Sequence, residues 1–260
     1  MEPQLREVLA QWDGKGTFYD PFVGSGFVSG LVREMHPNAP QVLGDVNPWL
    51  VGFLRRQLEG SPTDPIPEPG LSDVPYWRNL HDPALHDTNT QAARFLVCLL
   101  TSWGARYQDG KDGKFALPIQ TEQGRYNQAV STLPELWQTF WLRKGDLVLA
   151  QSWFKTVVSA TQPDLIFLDP PYTETMGYGV KWSVKDQIEV LLWAADKVKE
   201  GHNVVVSNHG ELKTIYERFG MHTLECSPPA RGKTSQIRSE ILAFPKQLTP
   251  YAPLSGFLDL

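Results

Sequence analysis

A carboxylate, two prolines and a tyrosine follow an apolar run in the segment FLDPPYTE. They are Asp169, Pro170, Pro171 and Tyr172. An exocyclic amine of a nucleobase is a weak nucleophile, because its lone pair is delocalised into the ring. The Asp169 carboxylate and the Pro170 carbonyl can accept hydrogen bonds from such an amine at a fixed angle, since proline restricts the backbone. Tyr172 can stack on the base. The segment therefore predicts a catalytic corner for the amine of an extruded base.

A glycine turn lies between a short apolar run and a helical pattern near the start of the chain. The turn is part of DPFVGSG, residues 20–26. Glycines let the backbone approach a ligand at the carboxyl edge of a sheet. The G-x-G spacing lacks the third glycine of the dinucleotide fingerprint, and the phosphate-loop motif G-x-x-x-x-G-K-[ST] does not occur in the sequence. The turn therefore predicts a cofactor site and disfavours nicotinamide dinucleotides and nucleoside triphosphates.

An acid ends the next predicted strand, in the segment QVLGDVNP. At that position Asp45 can accept hydrogen bonds from both hydroxyls of a ribose. Together, the glycine turn and Asp45 indicate an adenosyl ligand without a pyrophosphate, and S-adenosyl-L-methionine is such a ligand. Its sulfonium methyl group would face an amine held by Asp169, so that positioning supplies most of the catalysis.

Seven short β-type runs, separated by helical patterns, must position these segments. The runs are residues 17–22, 41–46, 146–151, 164–169, 203–208, 222–226 and 239–244. Strands that alternate with helices are typical of an α/β fold, with a mostly parallel sheet and helices on both faces. Two helices are predicted more closely. Residues 185–200 repeat apolar side chains at helical spacing before Gly201, and another helix follows Asp45, with Asn47 as its cap and Pro48 in its first turn.

A proline-rich stretch interrupts this alternation. Residues 61–75 read SPTDPIPEPGLSDVP, which suits neither a helix nor a strand, and strand signals return only at Asp146. We therefore expect a catalytic domain formed by residues 1–53 and 144–260. Residues 54–143 would form an inserted, mainly helical subdomain.

In these motifs the chain resembles the Dam-type DNA adenine methyltransferases, the α group (D12 class) of amino methyltransferases. DPFVGSG and FLDPPY match the cofactor and catalytic motifs of that family, and VLGDVNP matches its ribose-binding segment. The motif order, with an insertion before DPPY, is that of the α group. The resemblance implies a Rossmann-like class I S-adenosylmethionine-dependent methyltransferase fold. It also implies methyl transfer to adenine N6 in double-stranded DNA after base flipping, with the insertion as a target-recognition subdomain.

The resemblance assigns roles to individual residues. The catalytic residues that it implies are Asp169, Pro170, Pro171 and Tyr172. The cofactor contacts that we expect are Asp20, Pro21, Phe22, Gly24, Ser25, Gly26, Asp45, Val46, Trp153, Phe154 and Asp169. Trp153 and Phe154 are included because Lys155 stands where the family often has an acid near the adenine of the cofactor, so that a ring would pack there instead.

Two segments carry the side chains that we expect to contact DNA. The first, WGARYQDGKDGKFALP, is similar to the recognition hairpin of the family, and the second is SPPARGKTSQIR. The expected DNA contacts are Arg106, Tyr107, Gln108, Lys111, Lys114, Arg231, Lys233 and Arg238. Tyr107 would wedge into the base stack, and the cations would bind phosphate or guanine. A solvated β-turn and a surface loop are the alternatives for the two segments.

The composition of the chain limits the partners and the cellular location that we expect. The chain has 260 residues and a formal net charge of −5, which counts mildly against a polyanion partner, so DNA binding would depend on local charge. Its two cysteines, Cys98 and Cys226, lie far apart, so we expect neither a disulfide framework nor a metal site. Neither a signal peptide nor an apolar run of about 20 residues is evident, so we expect a cytoplasmic protein without a membrane partner.

Three function classes stay open from the residues themselves. Asp169 at the head of its motif favours adenine N6. The same chemistry on cytosine N4, an RNA base or a protein glutamine is the alternative. The third class is a homologue that binds the cofactor or DNA without turnover. It stays open because the family has a Lys/Gly-rich segment well upstream of the glycine turn. Here QWDGKG matches that segment only in composition, and its Lys15 lies too close to Asp20 for the same role.

Overall fold

The structure is a computed structural model that describes residues 2–58, 74–102, 107–110, 112–118, 142–143, 145–150, 163–171, 182–226 and 239–249. Its α-helices are α1 (Glu2–Leu9), α2 (Phe27–Met35), α3 (Pro48–Leu58), α4 (Val74–Asn79), α5 (Thr88–Thr101), α6 (Val184–Lys199) and α7 (Lys213–Arg218). Short 3-10 turns span Pro83–Leu85, Gly210–Leu212 and Lys246–Leu248. The strands are β1 (Phe18–Asp20), β2 (Gln41–Asp45), β3 (Leu147–Ala150), β4 (Leu165–Leu168), β5 (Asn203–His209), β6 (His222–Cys226) and β7 (Glu240–Phe244).

The strands form one seven-stranded sheet in the order β3-β2-β1-β4-β5-β7-β6. The first five strands in this order are parallel to one another, whereas β7 is antiparallel to both β5 and β6. The predicted α/β sheet is confirmed, and each predicted run contains a strand. Because parallel strands end at the same edge, the residues that follow β1, β2 and β4 come together there.

Two hydrophobic clusters cover the two faces of the sheet. In β1, Phe18 belongs to the first cluster and Tyr19 to the second, and in β4, Leu165 and Ile166 divide in the same way. This alternation follows from the two-residue period of a strand. Helices α1, α2, α3 and α5 contribute to the first cluster, and α6 and α7 contribute to the second. The central parallel strands β1, β4 and β5 are therefore buried on both faces, as βαβ connections require, whereas the edge strand β3 leaves Leu147 exposed.

Helix α5 lies in the region that we predicted to be an insertion, yet it packs against the sheet domain. Its residues Ala92, Phe95 and Leu96 belong to the same cluster as α3. The Phe53 and Phe95 rings lie 5.5 Å apart between their centroids. The domain division at residues 54–143 stays a prediction, and α5 provides the surface that joins the two parts.

The helix starts agree with the capping signals in the sequence. The Asn47 side chain accepts a hydrogen bond from the Trp49 amide at 3.0 Å, and Pro48 is the first residue of α3. Ser183 and Asp186 form a capping box at the start of α6, and Gly201 has a φ of +95° after that helix ends. None of the described helices is long and apolar enough to cross a membrane.

Candidate active site

The glycine turn after β1 is fixed by backbone hydrogen bonds. The Val23 amide donates to the Gly44 carbonyl at 2.9 Å, and the Gly26 amide donates to the Val23 carbonyl at 2.7 Å. Gly24 and Gly26 have φ angles of +48° and +75°, a region that favours glycine. Of the described residues, a Cβ atom added at Gly24 would meet only Phe22, whose carbonyl oxygen would lie 3.7 Å away. The turn therefore leaves open space beside its backbone.

Asp45 connects this turn to the end of β2. Its Oδ2 accepts a hydrogen bond from the Gly24 amide at 3.2 Å, and its Oδ1 accepts one from the Asn47 amide at 2.8 Å. Burial raises the pKa of Asp45, and the hydrogen bonds from backbone amides oppose that effect. Val46, the next residue, is 55% exposed. The end of β2 thus combines a carboxylate acceptor with an accessible apolar side chain.

Asp20 is the buried acid of the site. Its Oδ1 accepts a hydrogen bond from the Phe22 amide at 3.3 Å, and its Oδ2 accepts one from Ser29 Oγ at 3.1 Å. Burial raises the pKa of Asp20 to about 8, the charges of Asp169 and Asp45 add to the increase, and both hydrogen bonds oppose it. The three acids therefore share one electrostatic environment at the carboxyl edge of the sheet.

Asp169 follows β4 and is exposed at this edge. Protein atoms nevertheless crowd its carboxylate, and the loss of hydration raises its pKa to about 6. A hydrogen bond from the Ser207 side chain lowers the pKa, and the charge of Glu240 raises it. Pro170 is buried and Pro171 is half-buried. Asp169 as a whole is thus exposed, whereas its carboxylate is crowded by protein atoms and the following Pro170 is buried.

Ser207 is a member of this site that the sequence did not reveal. It lies in β5 and is 1% exposed, and its side chain acts on Asp169 to lower the pKa of that carboxyl. The parallel register of β4 and β5, in which Leu168 pairs with Val206, brings this hydroxyl close to the acid that follows β4, and the sequence does not give that pairing.

The remaining expected cofactor residues differ in exposure. Pro21 and Gly26 are buried, and Ser25 is exposed. Phe22 is half-buried, and its ring meets Trp182 edge to face at a centroid distance of 5.8 Å. The predicted residues that lie outside the described part of the chain are Arg106, Lys111, Trp153, Phe154, Tyr172, Arg231, Lys233 and Arg238.

A hairpin follows α5 and includes the other expected DNA contacts. Asp109 and Phe115 form an antiparallel bridge, and the Gly110 amide donates to the Lys114 carbonyl at 2.7 Å. Lys114 is exposed, and Gln108 is half-buried. The backbone carbonyl of Gln108 accepts a hydrogen bond from the Ala116 amide at 2.9 Å. A depression of about 400 Å³ lies beside the hairpin; its lining includes Arg78, Asn79 and Lys114 and none of the three acids.

Tyr107 packs inside this region. Its ring lies 4.9 Å from the Phe95 ring and 5.2 Å from the Phe115 ring, between centroids. Its hydroxyl contacts Arg94 and Asp109, and burial raises the pKa of Tyr107 well above its ordinary value. The expected wedge into a base stack would require the ring to leave these contacts, so in this conformation Tyr107 supports the hairpin from within.

The described residues include no evident metal-binding site. No group of three or more His, Cys, Asp or Glu side chains in that part of the chain is placed to hold a metal ion. Cys98 and Cys226 are both free and buried. Burial raises the pKa of the Cys98 thiol to about 12, so this thiol is a core residue with little nucleophilic character.

Comparisons with known proteins relate the whole arrangement to one family. A family model described as D12 class N6 adenine-specific DNA methyltransferase matches residues 2–226. No curated protein matches the chain. Among solved structures, the rRNA methyltransferase aviRa from Streptomyces viridochromogenes is similar at 12% sequence identity. The similarity covers 91% of this chain and 79% of that chain, with a TM-score of 0.31.

Proposed function

The chain belongs to the D12 class N6 adenine-specific DNA methyltransferase family, and from this premise we propose which residues perform the reaction. The protein is an enzyme that transfers a methyl group to adenine N6 in DNA. The suspected family, the Rossmann-like methyltransferase fold and the adenine specificity are thereby confirmed. The family favours this activity over the alternatives on cytosine N4, RNA or a protein glutamine.

Methyltransferases of this kind generally use S-adenosyl-L-methionine, and the described residues fit that group. Gly24 leaves open space beside the turn, Asp45 provides oxygen acceptors, and Val46 offers an exposed apolar surface next to them. We assign the ribose hydroxyls to Asp45 and the adenine ring to Val46. When bound, the cofactor supplies an electrophilic methyl group, and the chain has to orient the acceptor amine toward it.

The Asp169 carboxylate performs that orientation in our proposal. It accepts a hydrogen bond from the N6 amine, and the Pro170 carbonyl accepts a second one. The hydrogen bond from Ser207 holds the carboxylate in one position and favours its ionised form. Because the pKa of Asp169 is about 6, the acceptor form is the major one at neutral pH. Tyr172 stays our prediction for stacking on the base.

The single observation that carries the assignment is the meeting of three carboxylates beside the glycine turn. The charges of Asp45 and Asp169 both act on Asp20, although Asp20 and Asp169 are separated by more than a hundred residues of sequence. Asp45 ends β2 and Asp169 follows β4, the two strands that flank β1 in the parallel sheet. This arrangement supports the proposal, since the displacement reaction requires the cofactor and the amine to be held close together.

We also propose that the hairpin contacts double-stranded DNA. Lys114 is exposed on it, and Gln108 lies beside the turn. These residues, with Arg106 and Lys111 in the same segment, would bind phosphates and base edges. Residues 54–143 would then act as the target-recognition subdomain, and residues 1–53 and 144–260 as the catalytic domain.

Labelled S-adenosyl-L-methionine tests the proposal. The protein is incubated with unmodified double-stranded DNA, and the digested nucleosides are separated. We expect label in N6-methyl-2′-deoxyadenosine for the wild-type protein and at least about 100-fold less for Asp169→Ala. Asp196→Ala removes an exposed acid from α6 and serves as a matched control with wild-type activity. Label in cytosine, RNA or protein instead of adenine would contradict the proposal.

A further inference from the structure

Arg94 is a fully buried arginine at the base of the hairpin. Its Nε donates to the Leu80 carbonyl at 2.9 Å, and its Nη2 donates to Asp109 Oδ1 at 2.8 Å and to the Gly113 carbonyl at 3.2 Å. Its Nη1 donates to the Tyr107 hydroxyl. The side chain is 0% exposed, whereas that of Asp109 is 25% exposed. One guanidinium therefore holds three positions of the hairpin and one position of the segment after α4.

The same guanidinium also faces the sheet domain. It lies over the ring of Trp49 in α3, 4.1 Å from the ring centroid. A buried charge destabilises a fold unless it is paired and hydrogen-bonded. An apolar side chain at position 94 could fill the same space without that cost, so packing alone does not explain an arginine there. Only a planar fork of donors can bind a carboxylate, two carbonyls and a hydroxyl together. The chemistry of Arg94 therefore indicates a requirement for one fixed hairpin geometry.

Other contacts attach the opposite side of the hairpin. Gly113 has a φ of +75°, and a Cβ atom added there would lie 2.7 Å from the His81 carbonyl oxygen. The Phe115 amide donates to the Arg78 carbonyl at 3.0 Å, and the Arg78 guanidinium lies 4.5 Å from the centroid of the Phe115 ring. The turn is thus held close to the His81 backbone at Gly113, while Lys114 stays exposed in the lining of the same depression as Arg78.

We propose that Arg94 and Asp109 are positioning residues that fix the hairpin in its DNA-binding conformation. The inference rests on the proposed contact between the hairpin and DNA. Asp109 and Gly113 bracket the turn, so their bonds to Arg94 set where Gln108 and Lys114 lie relative to the sheet. A preformed hairpin does not have to be ordered when DNA binds, which increases affinity without any contact between Arg94 and DNA.

The test measures steady-state methylation of double-stranded DNA by Asp109→Asn and Arg94→Lys. Asp109→Asn keeps the side-chain shape and removes the charge, and Arg94→Lys keeps the charge and removes the fork. We expect the KM for DNA to increase about tenfold in both variants, because a misplaced contact group weakens binding steeply. We expect kcat at saturating DNA to stay within about twofold, and the Kd for S-adenosyl-L-methionine to be unchanged, since neither residue lies at the cofactor turn.

Asp146→Asn is the matched control. Arg33 and Asp146 form another buried pair, with side chains 7% and 3% exposed, and this pair joins α2 to the start of β3. Thermal unfolding is recorded for all variants. Asp146→Asn is expected to lower the unfolding temperature and to keep the wild-type KM for DNA. An equal increase of KM in this control would assign the effect to lost stability and overturn the inference.

Lys114→Ala separates this inference from the proposed function. If Lys114→Ala raises the KM for DNA while Asp109→Asn and Arg94→Lys keep the wild-type value, the positioning role is wrong and the hairpin contact stands. If Lys114→Ala combined with Gln108→Ala also leaves DNA binding unchanged, the hairpin contact itself is wrong, and the inference fails with it. An increase in all of these hairpin variants, but not in Asp146→Asn, supports both.

Discussion

The Gly24 amide donates a hydrogen bond to Asp45 Oδ2 at 3.2 Å, and this bond ties the turn after β1 to the acid that ends β2. The other oxygen of Asp45 accepts from the Asn47 amide at the start of α3. Two loops at the edge of the sheet are therefore assembled around one carboxylate before any cofactor binds. Such preorganisation reduces the ordering that binding would otherwise require.

Asp45→Ala should weaken cofactor binding. The substitution removes the proposed acceptor for the ribose and leaves the Gly24 and Asn47 amides without their side-chain partner. We expect the Kd for S-adenosyl-L-methionine, measured by isothermal titration calorimetry, to increase at least about tenfold. Asp13→Ala is a suitable control, because Asp13 is an exposed acid that also accepts from a backbone amide, that of Lys15. Wild-type affinity in Asp45→Ala would exclude the assigned contact.

Asp169→Ala should separate binding from chemistry. The carboxylate is the proposed acceptor for the N6 amine, and the Asp45 contacts of the cofactor turn do not involve it. We expect the Kd for the cofactor to stay nearly the same, while the single-turnover rate decreases at least about 100-fold. Unchanged turnover in this variant would refute the role that we give to Asp169.

Ser207→Ala should move the acid limb of the pH profile. The Ser207 hydroxyl lowers the pKa of Asp169, which is about 6 in its presence, so removal of the hydroxyl raises that pKa. Because the ionised carboxylate is the acceptor, activity increases as pH rises through the pKa, and the limb should shift to higher pH in the variant. Profiles of kcat/KM between pH 5 and 8 measure the shift, because kcat/KM reports the pKa values of the free enzyme. Ser207→Thr keeps a hydroxyl and should retain the wild-type limb; an identical limb in Ser207→Ala would show that the hydrogen bond has no influence on the reaction.

Asp20 should make the stability of the protein depend on pH. Its pKa is about 8 in the folded protein and near its ordinary value of 3.8 when unfolded. Between these values the folded state binds a proton that the unfolded chain releases, so the free energy of unfolding decreases as pH rises. Asp20→Asn resembles the protonated side chain and should flatten this dependence. Urea titrations of both proteins at pH 5 and pH 8 give the two slopes, and equal slopes would contradict the burial of Asp20 as their cause.

Much of the fold could be predicted because its signals are local. The strand runs, the Asn47 cap and the Gly201 stop each depend on residues that are close in sequence, and the structure confirms them. The glycine turn and the acids Asp45 and Asp169 were also recognisable, because each follows a strand. That Asp45 binds the Gly24 amide was not predictable, since it depends on the relative position of two loops.

Two residues were missed for a related reason. Ser207 acts on Asp169 only because β4 and β5 are neighbours, and sequence does not give the order of strands in a sheet. Arg94 had a visible signal: it is the only charged residue in the run AARFLVCLL, residues 92–100. A charged side chain on the buried side of a helix indicates that a residue of opposite charge lies nearby. Only the structure of the hairpin shows that this residue is Asp109.

The position of β7 has a consequence for the synthesis of the protein. Among the described strands, β6 meets the sheet only through β7, which is the last of them in the chain. During translation β6 is therefore synthesised before its neighbour β7, and the edge of β5 that carries Ser207 stays unpaired until β7 follows. A released chain that ends at Cys226 would lack β7 and would present the backbone donors and acceptors of both strands to other polypeptides.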